Sequence, residues 1–231
     1  MPTSDSRRGI ILACVIVLAA LTTTSAYGAT RRGTPVRSPL MPNGDATSKT
    51  DISRVGLKPD TEKAGFSLQN AYYLATLSTI AYKTKPEVQK IIQGKKKDGG
   101  LGYDHFHWFE LDPSVRNDRQ VSDRSEDTEA FVSADDDVIL VVFRGSSEGS
   151  DWATNFDAMP APPPAGWMVE NGAIHEGYIK GVATVWEAHG MIATIRTLYN
   201  EPGKKRKLFL AGHSLGGALA TVAAARLVFE E

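Results

Sequence analysis

The segment from Lys207 to Phe229 constrains the fold of this chain more than any other. A short apolar run, Lys207 to Ala211, passes through Gly212-His213-Ser214-Leu215-Gly216 into a stretch of small and apolar residues from Leu215 to Phe229. A strand, a glycine-flanked turn and a helix in that order require a sheet with helices packed on it. The run Val138-Ile139-Leu140-Val141-Val142-Phe143 is apolar at every position, as expected for a strand buried on both faces. Thr128–Ser133 and Val138–Arg144 flank Asp135-Asp136-Asp137, which predicts a hairpin whose aspartates form a solvated turn rather than a calcium loop. His105 to Leu111 alternates like a strand, and Ser67 can cap a helix with Leu68, Ala71, Tyr72, Ala75 and Tyr82 at helical spacing. Glu176 to Leu198 predicts one further helix, with Tyr178, Val182, Val185, Trp186, His189, Ile192 and Ala193 on a common stripe. The predicted class is α/β, with a mostly parallel central sheet flanked by helices.

The Gly-x-Ser-x-Gly pattern centred on Ser214 carries the chemistry. A serine hydroxyl is a poor nucleophile unless it projects towards a base, and a strained strand-to-helix turn produces that projection. Gly212 and Gly216 remove Cβ atoms from the turn, and the helix starting at Leu215 directs its free N–H groups and positive end towards an oxyanion beside Ser214. His213 leaves the turn in a different direction and is not expected to reach its neighbour's hydroxyl as a base does. His105 and His107 stand two apart on a strand but lack a supporting carboxylate or cysteine, so no metal is expected. The lysines at 95 to 97 read as a solvated loop.

Ala211 to Ala220 combines with Val142-Phe143-Arg144-Gly145-Ser146, Asp151-Trp152-x-x-Asn155 and Ile174-His175-Glu176-Gly177-Tyr178. This ordered set resembles the class 3 (fungal-type) lipases of the α/β-hydrolase fold, from about Ser67 to the last residue. The resemblance implies Ser214 as nucleophile, Ser146 at the end of its strand and Leu215 as donors of oxyanion-hole N–H groups, and a structural role for His175. The implied reaction is acyl transfer through an acyl-enzyme that water then hydrolyses, with no metal or organic cofactor. Trp152 and Phe156, four residues apart, would share one helix face before a proline-rich stretch at 160 to 164. In the resembled lipases this place is held by an amphipathic lid. The implied substrate is a lipid ester, triacylglycerol-like, at a lipid–water interface. Phospholipase A1 or feruloyl-esterase chemistry, or a non-catalytic lipid-surface binding module, remain as alternatives.

Two of the three catalytic positions lack a counterpart. The 17 residues after Ser214 contain no His and no Asp, whereas this fold places the carboxylate and the base after the nucleophile. A shortened form of a longer lipase is the favoured expectation over an inactive homologue, since a central strand at Lys207–Ala211 would otherwise leave an unpaired apolar edge. These 231 residues alone are expected to be poorly soluble and to hydrolyse p-nitrophenyl esters no faster than their Ser214→Ala variant.

The N-terminus has a separate character. Arg7 and Arg8 precede an apolar run from Ile10 to Leu21, and Ala26-Tyr27-Gly28 follows. This predicts a secretory signal peptide over 1–28, with an uncleaved membrane anchor as the alternative, and a secreted or cell-envelope protein. Residues 29–66 are polar and proline-containing, as in a flexible linker or an arm lying on the surface, and the hydrolase-like domain is assigned to 67–231. The single cysteine, Cys14, lies in the leader, which excludes a disulfide framework. With 26 basic against 27 acidic residues, the chain lacks the basic excess of a dedicated nucleic-acid binder.

Overall fold

A computed structural model describes residues 13–17, 59–62, 65–110, 128–146, 160–167 and 172–230. In chain order the elements are β1 (Ala13–Val17), α1 (Leu68–Ile80), α2 (Lys85–Gln93), β2 (His105–Phe109), β3 (Ala130–Ala134) and β4 (Val138–Phe143). There follow β5 (Pro160–Ala161), β6 (Ile174–His175), α3 (Glu176–Ala183), α4 (Met191–Tyr199), β7 (Lys207–His213) and α5 (Leu215–Phe229). Five strands form one sheet in the order β1-β7-β4-β3-β2, and β5 pairs with β6 in a separate ribbon. β7 lies parallel to both β1 and β4, whereas β3 is antiparallel to β4 and β2. The α/β class expected from the sequence holds, with a mixed sheet over these residues rather than a mostly parallel one.

Strand alternation divides the interior into two layers. Val138, Leu140 and Val142 of β4, with Phe209 and Ala211 of β7, pack under α1 and α2 against Leu74, Leu77, Ile80, Val88 and Ile92. Ile139, Val141 and Phe143, with Leu208 and Leu210, face Val182, Val185, Trp186, Ile195, Leu219 and Ala223 on the other side. Each of the larger of these side chains, Val, Leu, Ile or Phe, contributes about 1.5–3 kcal/mol when withdrawn from water, so the two central strands anchor both layers.

The hairpin turn forms where the aspartates predict it. The Asp135 carboxylate accepts from the Asp137 and Val138 amides, both at 2.9 Å, and Asp136 pairs with Lys204. The buried Arg206 donates to the Asp135 carbonyl, to the Leu198 carbonyl at 2.7 Å and to the Glu201 carboxylate at 2.6 Å. The basic turn before β7 is thus tied to the β3–β4 hairpin, at the end of the sheet opposite Ser214.

Three expectations need correction. First, Ser67 caps α1 by accepting from the Asn70 amide at 3.3 Å, but the buried stripe of the helix is Tyr73, Leu74, Leu77 and Ile80, while Leu68 and Tyr72 are exposed. Aromatic and aliphatic residues lie on both sides of this helix, so its spacing allows two stripes, and the sheet takes the one carrying Leu74 and Leu77. Second, the single helix expected over Glu176–Leu198 is two. A π turn at Thr184–Ala188 is followed by Gly190 at φ +73°; the break rotates the stripe, so Met191, Ile195 and Leu198 are buried instead of Ile192 and Ala193.

Asp60, within the span assigned to the arm, meets α1: the Asn70 side chain pairs with both of its backbone groups, at 2.6 and 2.9 Å. Third, the edge of β7 expected to stand unpaired carries β1, from Ala13 opposite Phe209 to Val17 opposite His213. The backbone groups of an apolar edge are satisfied by any extended apolar segment in register, and the run assigned to the leader contains one. The remainder of the leader and most of the arm lie outside the described residues.

Candidate active site

The end of β7 and the start of α5 meet at Ser214, whose backbone stands at φ 56°, ψ −123°. Among the described residues it is the only non-glycine with positive φ. Such a conformation costs about 1–3 kcal/mol and persists only where the surroundings impose it. Here the surroundings are glycines in close contact with backbone. A Cβ on Gly212 would lie 2.1 Å from the Gly216 carbonyl oxygen, and one on Gly216 would lie 2.3 Å from that of Phe143. The Ser214 carbonyl accepts from the Gly217 amide at 2.9 Å and from that of Ala218 at 3.3 Å. The Leu215 and Gly216 amides therefore precede the first intrahelical bond and sit at the positive end of α5.

The segment leading to Ser146 lies against this turn. Phe143, the last residue of β4, pairs with Gly212, and the Arg144 amide continues the ladder by donating to the Glu129 carbonyl at 2.9 Å. A Cβ on Gly145 would lie 2.4 Å from the His213 carbonyl oxygen and 2.2 Å from the Tyr82 hydroxyl. Ser146, expected at the strand end, comes three residues after it and is half-buried. The geometry thus brings the residue next to Ser146 into contact with the residue next to Ser214.

The direction of His213 follows from the parity of β7. Phe209 and Ala211 face α1, so the next alternate residue, His213, does too. Its Nδ1 is hydrogen-bonded to the Tyr82 hydroxyl at 3.0 Å, and the two rings meet edge-on at 5.9 Å. Tyr82, read from the sequence as part of a helix stripe, lies beyond the C-cap Ala81. Burial raises its phenol above the ordinary range, and the Arg144 guanidinium opposes that shift. Arg144 stands 6.0 Å from the Tyr82 ring centre and pairs with Glu129 at 2.6 Å. No local pattern signals this contact, because its partners are 131 residues apart.

His175 caps α3, its Nδ1 accepting from the Gly177 amide at 3.0 Å, with its ring 4.6 Å from that of Tyr178. His105 and His107 lie on β2, where burial lowers the His107 pKa with help from the neighbouring His105. Among the described residues no group of three or more His, Cys, Asp or Glu is placed to hold a metal, and no helix is long and apolar enough to cross a membrane. Trp152 and Phe156, the lid candidates, lie outside the described residues. The proline-rich stretch beyond them ends at the buried Trp167, whose indole N–H donates to Glu230 at 2.9 Å and whose ring stacks on Phe229 at 5.6 Å.

Residues 140–231 match the family described as lipase (class 3). A lipase of Rhizomucor miehei is 31% identical over 107 residues, which is 46% of this chain and 28% of that protein. Among solved structures, the triacylglyceride lipase of Rhizomucor miehei shares 30% identity over 46% of this chain and 38% of its own, with a TM-score of 0.39. A triacylglycerol lipase from Penicillium expansum shares 27% identity over 48% of this chain and 42% of its own, with a TM-score of 0.40. The chain therefore spans less than a third of the curated relative that it matches. The matched segment contains most of β4, Ser146, the turn at Ser214 and α5, and it is these residues that are similar to the class 3 lipases.

Proposed function

We propose that the protein is a serine hydrolase that cleaves carboxylic esters of lipids, of the triacylglycerol type. The observation that carries this reading is the positive φ of Ser214 between a buried strand and a helix N-terminus. Strain confined to one serine in such a place is the arrangement that exposes a nucleophilic hydroxyl. The family match of residues 140–231 and the kinship with a lipase support the ester as substrate.

In the proposed reaction the Ser214 Oγ attacks the acyl carbonyl carbon, and the carbonyl oxygen becomes an oxyanion held by the Ser146 and Leu215 amides. The alkoxide leaves with a proton, and water then attacks the acyl-serine to release the fatty acid. A histidine must take the serine proton and a carboxylate must orient it. The residues that follow Ser214 in this sequence contain neither His nor Asp, so they supply no such pair. Trp152 and Phe156 are assigned to a lid that covers the site in water and moves aside at a lipid surface. Residues 1–28 are assigned to a leader for export. The test is hydrolysis of p-nitrophenyl butyrate by the protein as the cell makes it. Ser214→Ala should remove the catalysed rate, and a rate retained by that variant would refute the assignment.

A further inference from the structure

We propose that Tyr82 is a positioning residue that locks the oxyanion segment Gly145–Ser146 to the nucleophile turn His213–Ser214. This rests on the hydrolase reading and extends it to a residue outside the matched segment. The Tyr82 hydroxyl touches both halves of the site: it is hydrogen-bonded to His213 Nδ1 at 3.0 Å, and it stands where a side chain on Gly145 would be. The same gap holds the His213 carbonyl oxygen, 2.4 Å from the Cβ that Gly145 lacks. Arg144 extends the contact by placing its guanidinium over the phenol ring, 6.0 Å from its centre, while Glu129, just before β3, holds the guanidinium at 2.6 Å. A chain of contacts thus runs from Glu129 through Arg144 and Tyr82 to His213, and Arg144 and His213 each stand two residues before one of the two amides, those of Ser146 and Leu215. Oxyanion stabilisation depends on the separation of those two donors to within a fraction of an ångström. One hydroxyl wedged between the two segments fixes that separation without touching substrate.

The experiment combines kinetics with hydrogen exchange on the protein as the cell makes it. Tyr82→Phe deletes only the hydroxyl. It should lower kcat on p-nitrophenyl butyrate by about tenfold or more with KM changed less than about twofold, since an interaction expressed only in the transition state is lost. His213→Ala should do the same, and the double variant should lose no more than the larger single loss, the signature of one shared contact. The Arg144, Gly217 and Ala218 amides should lose exchange protection together in Tyr82→Phe, while Tm stays within about 3 °C. An unchanged kcat, or losses that multiply in the double variant, would overturn the proposal. If the wild-type protein hydrolyses no ester, the hydrolase reading falls and exchange alone decides the coupling. Joint loss of protection then supports it, and unchanged protection overturns it.

Discussion

Gly212 and Gly216 meet across the turn at Ser214 so closely that a Cβ on the first would lie 2.1 Å from the carbonyl oxygen of the second. The carbonyl belongs to the first turn of α5 and cannot rotate away without opening the helix. Gly212→Ala should therefore cost about 2–4 kcal/mol, at the upper end of ordinary core substitutions. It should also remove Ser214-dependent turnover from whatever protein still folds. Urea unfolding with an ester assay on the same samples checks both. A variant with native stability and turnover would show that the turn is looser than its geometry indicates.

The break between α3 and α4 gives a contrasting case. Gly190 stands at φ +73° with nothing within 4 Å of the Cβ position, so substitution meets conformational strain without collision. Gly190→Ala should cost about 1–2 kcal/mol, the ordinary penalty for the left-handed region. Gly190→Asn, which tolerates that region, should cost less. Equal urea midpoints for wild type and both variants would mean that the helix runs continuously, as the sequence pattern alone suggests.

These two glycines show what the sequence makes legible. The segment Lys207 to Phe229 reads correctly because local pattern and tertiary role coincide: β7 is apolar on both faces, Gly212 and Gly216 are required by contact, and α5 begins next to Ser214. The α1 stripe and the continuous helix are misread because periodicity does not rank two competing apolar faces, and one glycine does not reveal its φ. Tyr82 is invisible as a site residue for a third reason. Its role exists only through a contact with His213 across 131 residues, which neither motif nor spacing encodes. β1 adds a fourth case, in which an apolar run read for its targeting pattern is extended on the edge of β7.

The buried phenols of Tyr73 and Tyr103, 2.7 Å apart, set an alkaline limit. Burial pushes Tyr73 up from 10.0 to about 12, partly offset by its bond to Tyr103, and burial raises Tyr103 as well, with Tyr73 adding to the shift. Both folded-state values lie above the unfolded one. Their contribution to stability is therefore full below pH 10 and is lost as pH climbs towards 12. Tyr103→Phe should lose about 1 kcal/mol at neutral pH through the missing hydrogen bond and show a shallower fall in Tm above pH 10. Thermal unfolding between neutral and alkaline pH measures this, and identical slopes for variant and wild type would contradict it.

The lid assignment predicts a difference between substrates. Replacing Trp152 and Phe156 together with Ser should reduce activity on emulsified triacylglycerol by about tenfold more than on p-nitrophenyl butyrate, since only the former requires an apolar face at the interface. Parallel assays on the two substrates decide it. Equal losses would reduce the segment to an ordinary surface loop.

The central claim is that the strained residue at the end of β7 is an activated nucleophile. The most direct measurement is treatment of the protein as the cell makes it with a fluorophosphonate, followed by mass mapping of the adduct. The account predicts one covalent phosphonyl group, on Ser214, absent from the denatured protein and from Ser214→Ala. No adduct, or an adduct formed equally by the denatured chain, would contradict it and leave the turn as a structural feature without chemistry.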